Sequence, residues 1–89
     1  MSDLIHIRVT GILIKDDQLL VVEQKVNPLR DWSLPGGRVE QGEALDQSIR
    51  RELLEETGLE VEVKGLLYVC DVPDASPAVL HVTFQLEKK

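Results

Sequence analysis

Between Glu43 and Thr57 the chain has neither glycine nor proline, consists mostly of good helix formers, and stops at Gly58. Glycine there suits the left-handed residue that ends a helix, so residues 43–57 are expected to form one helix. Everything else must be built around it, and the flanking sequence reads as strands. Residues 4–14 alternate Ile5, Ile7 and Val9 against His6, Arg8 and Thr10, the period of a half-buried strand. Asp16-Asp17 then reads as a turn, and residues 18–25, with four consecutive aliphatics, as a second strand covered on both faces that pairs back as a hairpin. Pro28, Pro35, Gly36, Gly37 and Gly42 make residues 26–42 a long loop, with a short strand at Leu34 or at Arg38-Val39. Beyond the helix, Leu59–Val72 is expected to be a strand bent or bulged at Gly65. Residues 73–77 form a loop, and Ala78–Leu86 alternate as a final strand.

A chain of 89 residues, 43% hydrophobic, has room for one core and not for two. No apolar run approaches the roughly 18 residues of a membrane span, and the start offers no secretory segment. The expectation is therefore a cytoplasmic chain with no membrane partner. One cysteine excludes an internal disulfide framework, and two isolated histidines exclude the usual zinc spacings. The net charge is −6, and residues 43–62 hold seven acids against Arg50 and Arg51. With no basic stripe, nucleic acid is not an expected partner, because phosphate neutralisation dominates that affinity.

At about 100° per residue, Leu45, Ile49 and Leu53 share one arc of the helix, and Glu52, Glu55 and Glu56 lie together beside it. Like charges three and four residues apart each cost an isolated helix roughly 0.2–0.5 kcal/mol, and no lysine interleaves. They also sit toward the helix C-terminus, where the macrodipole disfavours anions. Spacing alone leaves two readings: a solvated acidic face, or a site for a hard divalent cation such as Mg²⁺ or Mn²⁺, which takes carboxylates together with substrate phosphates. Trp32 is open between base stacking and packing. Cys70, His6, His81 and Tyr68 are read as structural strand residues.

Gly37, five residues, Glu43, seven residues, then Arg51-Glu52-Leu53-Leu54-Glu55-Glu56-Thr57-Gly58-Leu59 resembles the Nudix hydrolase (MutT-like) signature at all nine defined positions. Trp32 to Gly37 and Glu40 to Glu43 also resemble the family's flanks. The resemblance implies an α+β fold, an α/β/α sandwich around a mixed sheet. It also implies Mg²⁺- or Mn²⁺-dependent hydrolysis of a pyrophosphate bond in a nucleoside diphosphate linked to another group X, a small nucleotide substrate. Glu52, Glu55 and Glu56 would be the catalytic carboxylates and metal ligands, Glu52 also the base for the attacking water, and Gly36 would add its backbone carbonyl. Glu43 and Arg51 would form a structural ion pair, and Arg38 would bind substrate phosphate. A Nudix-like nucleotide-binding regulatory module without turnover is the alternative.

The family's domain is longer. Residues 1–89 are expected to be a single Nudix domain, with its box at 37–59, that lacks further C-terminal strands and a second helix. Something should then cover the other sheet face: the rest of a longer domain, or a homodimer completed through an open edge at Ala78–Leu86.

Overall fold

A computed structural model describes residues 5–26 and 29–89; Leu4, expected to begin the first strand, and Pro28 lie outside them. Strand β1 (Ile5–Lys15) turns through Asp16 and Asp17, both at positive φ (52° and 63°), into β2 (Gln18–Leu19). Such two-residue turns match the twist of the strands they join. The expected single strand over 18–25 is in fact broken. After Leu20-Val21 the chain leaves β1, and β3 (Val22–Val26) makes a separate antiparallel ladder with β4 (Leu29–Ser33). The aliphatic run has no alternation to fix one register, and it is not covered on both faces: Leu19 and Val21 are exposed while Leu20 packs on the core.

Residues 26–42 are likewise not one loop. Besides β4, β5 (Gly36–Arg38) pairs antiparallel with β1 through Arg8–Arg38, Val9–Gly37 and Thr10–Gly36. Glycine is a poor strand former, so this strand comes from pairing with β1 rather than from local preference. Helix α1 runs Leu45–Thr57, and Gly58 ends it at φ 75°, its N–H donating to the Leu54 carbonyl. It begins two residues later than expected, because Glu43 is drawn into a turn with Glu40 and onto Arg51.

Strand β6 (Val61–Val72) pairs antiparallel with β7 (Ala78–Lys88), with irregularities between Val63 and Gly65 and between Leu66 and Tyr68. Strand β7 also lies parallel to β1, from Ile5–Ala78 to Leu13–Leu86, which makes the sheet mixed, in the order β2-β1-β7-β6 with β5 also on β1. The final strand is thus interior, flanked on both sides, and the expected open edge at Ala78–Leu86 does not exist. Among the described residues the free side belongs to β6.

The core lies between α1 and one sheet face. Ile49 and Leu53 pack with Val9, Leu13, Val61, Val82, Phe84 and Leu86, all buried. Leu45, expected on the same arc, is 38% exposed at the first turn. By alternation, Arg8, Thr10, His81 and Thr83 occupy the face away from α1, where Thr10 and Thr83 share a hydroxyl–hydroxyl bond of 2.7 Å. On β6, Leu66, Leu67, Tyr68, Val69 and Val72 are all exposed.

Candidate active site

The pairing of β5 with β1 holds Gly36 and Gly37 at the flank of α1, where side chains would not fit. A Cβ on Gly36 would strike the Val9 carbonyl, and one on Gly37 would overlap the carboxylate of Glu52. Gly37 therefore clears the space that lets Glu52 lie against the backbone, where its side chain is only 14% exposed. The Gly36 N–H donates to Glu56 Oε1 at 3.1 Å.

Arg51 organises the rest. It donates through Nε to Glu43 Oε2 at 2.6 Å and through Nη2 to Glu43 Oε1 at 3.1 Å, a fork on one carboxylate. Its Nη1 donates to Glu52 Oε1 at 2.8 Å and to both oxygens of Glu55 at 3.1 Å, and Nη2 also donates to the Arg38 carbonyl. One guanidinium thus ties the turn before α1, strand β5 and two of the three helix carboxylates into a single unit. Paired, directional bonds of this kind are the strong ones.

The charges follow the geometry. The hydrogen bonds from Arg51, and next the Glu40 N–H, hold the Glu43 carboxyl down to about 2. Arg51 is held still more firmly in its charged form, first by Glu43. Glu56 is raised: burial disfavours its charge and the Glu52 carboxylate adds to this, outweighing the lowering by the Gly36 N–H and by Arg8.

Glu52, Glu55 and Glu56 therefore share one helical patch and divide their partners, Glu55 turned to Arg51 and Glu56 to Gly36. Among the described residues no three acidic, histidine or cysteine side chains converge as a metal-holding group in this arrangement. The donor chemistry suits a hard divalent cation nonetheless: three carboxylates, one of them against a backbone cleared by glycine, with a single arginine to offset them. Arg38 is exposed on β5, opposite Arg8 on the face away from α1, and only its backbone carbonyl reaches the Arg51 hub.

Reading the sequence missed the other face. A pocket of about 450 Å³ lies there, walled by Arg8 and Thr83 from the sheet, Tyr68 and Cys70 from β6, and Leu34 and Gly36 from the glycine segment. That volume is in the range of small-ligand pockets. Arg8 and His81 look like the polar half of ordinary strands; only their shared parity, with strand order unknown, could have hinted at one surface. Trp32 does not wall this pocket and is 62% exposed on β4.

With glycine segment, ion-pair hub and carboxylate patch in place, the family is settled by comparison. Residues 5–88 match the NUDIX domain, and the chain belongs to that family. It is 42% identical over 84 residues to the ADP-ribose pyrophosphatase of Methanocaldococcus jannaschii, covering 91% of this chain and 50% of that protein. It is 31% identical over 84 residues to the phosphatase NudJ of Escherichia coli O1:K1, covering 92% of this chain and 54% of that protein. A NUDIX hydrolase structure from Nitrosomonas europaea superposes with a TM-score of 0.86 at 29% identity, over 94% of this chain and 59% of that one. The chain thus spans about half the length of the curated relatives it matches.

Proposed function

We propose that this chain carries the catalytic centre of a nucleotide pyrophosphohydrolase that cleaves a pyrophosphate bond in a nucleoside diphosphate linked to another group X. The observation that carries the reading is the placement of Glu52: packed against Gly37, fixed by Arg51, and flanked by Glu56 on the Gly36 N–H. A solvated acidic face has no need of a cleared backbone or of an arginine hub.

Nudix hydrolases generally use divalent metals, and here Glu52, Glu55, Glu56 and the Gly36 carbonyl would hold Mg²⁺ or Mn²⁺. When bound, the ion would polarise the phosphoryl group, neutralise developing charge and acidify water. The chain's own contribution is orientation and proton transfer. Glu52 accepts a proton as water attacks one phosphorus of the pyrophosphate, and the bond from that phosphorus to the bridging oxygen breaks. A positioned base of this kind contributes about 10²–10⁴-fold. Arg51 keeps Glu52 aimed, and Arg38, next to Gly37 on β5, binds the substrate's non-bridging oxygens. Among the substrates named by relatives, ADP-ribose has the support of the 42% identity to the M. jannaschii protein. Small nucleotides and not nucleic acid fit the net charge of −6, and no helix among the described residues is long and apolar enough to cross a membrane.

The deciding experiment is hydrolysis of a panel of ADP-ribose, nucleoside triphosphates and dinucleotide polyphosphates with Mg²⁺, the phosphate products resolved. The expected result is Mg²⁺-dependent release of a nucleoside monophosphate from at least one member. Nucleotide binding with no turnover across the panel would overturn the enzymatic reading in favour of a binding module.

A further inference from the structure

The registers β1–β5, β1–β7 and β6–β7 set four residues in one row across four strands: Arg38, Arg8, His81 and Cys70. Two arginines are thus directly opposite one another, an arrangement that costs stability between neighbouring strands. The chain has 16 acids for 10 Lys and Arg, so carboxylates are not scarce. Yet among the described residues neither guanidinium makes a hydrogen bond or a close ion pair: Arg8 acts on the Glu56 carboxylate only at longer range, and Arg38 contributes only its backbone carbonyl, to Arg51. Arg50, Arg51 and Lys64, by contrast, each hold a carboxylate.

Arg8 also has a particular position. It lines the 450 Å³ pocket together with Gly36, whose N–H binds Glu56, so the pocket abuts the carboxylate patch through one residue. An anion lying across the Gly36 edge would meet carboxylates, with any cation they hold, on one side and Arg8 on the other.

We infer that Arg8 is a substrate-binding residue: facing Arg38, it grips from the sheet side the phosphate that carries the group lodged in the pocket. This rests on the pyrophosphohydrolase reading for the identity of the anion, pyrophosphate, and not for the clamp itself. Guanidinium groups suit the work because their fork matches two phosphate oxygens and stays charged. The repulsion between Arg8 and Arg38 in the free protein is relieved when the anion enters.

The test is Arg8→Gln, with Arg8→Lys and, as a control that removes a positive charge elsewhere, Lys64→Gln. Binding of inorganic pyrophosphate with Mg²⁺ is measured by calorimetry, beside KM and kcat on the panel nucleotide the wild type cleaves fastest. Arg8→Gln should weaken pyrophosphate binding and raise KM by about 10–100-fold with kcat changed far less, the scale of a lost charged hydrogen bond. Its melting temperature should be equal to or above wild type, Arg8→Lys should recover part of the loss, and Lys64→Gln should match wild type. Pyrophosphate affinity within about twofold of wild type, an equal loss in Lys64→Gln, or a loss that tracks a lower melting temperature would each overturn the inference. If the wild type cleaves no panel member, the hydrolase reading fails separately while the pyrophosphate measurement still decides the clamp.

Discussion

Arg51 holds Glu43 across eight residues of chain by two hydrogen bonds to its two carboxylate oxygens, 2.6 Å from Nε and 3.1 Å from Nη2, while the same guanidinium holds Glu52 at 2.8 Å. Fixing the turn before the helix and fixing the proposed base are therefore one structural act. The loss of either partner should be felt at the other end.

Glu43→Gln removes the charge and part of the fork while Arg51 stays. The melting temperature at neutral pH should fall and kcat should fall with it, since Arg51 is then free to shift with Glu52. The pH dependence has a definite sign. The Glu43 carboxyl is lowered from 4.5 to about 2 on folding, so its stabilisation is complete above about 4.5 and is lost as pH falls toward 2. Melting curves of wild type and Glu43→Gln should differ most above pH 5 and converge near pH 2. A gap that stays constant across that range would remove the ion pair from the account.

Glu52→Gln keeps the shape and removes the base. The expected loss in kcat is about 10²–10⁴-fold at saturating Mg²⁺, with nucleotide affinity retained. Single-turnover rates together with equilibrium binding separate the two; wild-type turnover in this variant would show that the base lies elsewhere.

Gly37→Ala places a methyl group where the Glu52 carboxylate lies. The helix and sheet should survive, as far-ultraviolet dichroism would show, but Glu52 must move. Displacement by about 1 Å is enough for a loss on the order of 10²-fold in kcat. Activity close to wild type would mean that the close packing of Glu52 on this backbone is dispensable.

The exposed aliphatics of β6 predict how the 89-residue polypeptide behaves alone. Leu66, Leu67 and Val69 stand on a strand whose outer side has no partner among the described residues. Such an edge invites pairing. Sedimentation at micromolar concentration should show self-association, and a double substitution Leu66→Lys, Val69→Lys should return the polypeptide to a monomer. A wild-type monomer would show that this surface tolerates water.

The elements whose signal is local were legible before any fold was in view. Fifteen residues without Gly or Pro and a glycine stop made the helix and its end at Gly58 legible, though it starts at Leu45 and not at Glu43, and period-two alternation made β1 and β7 legible, because side-chain period is a property of the strand alone. The grouping of Glu52, Glu55 and Glu56 was legible for the same reason, because a helix converts sequence distance directly into a shared face; the pairing of Glu43 with Arg51, made from the turn before the helix, was legible only through the family resemblance. Tertiary structure decided what depends on strand order and register. Nothing local says that β7 runs parallel to β1 in the middle of the sheet, that Gly36–Arg38 is pulled into a strand, or that the aliphatics of 18–25 divide between two ladders. Arg8, 30 positions before Arg38 in the sequence, faces it only because β5 pairs back on β1. The pocket side of the candidate site is made by that pairing, which is set by hydrogen bonds between distant backbone segments rather than by any residue's own preference.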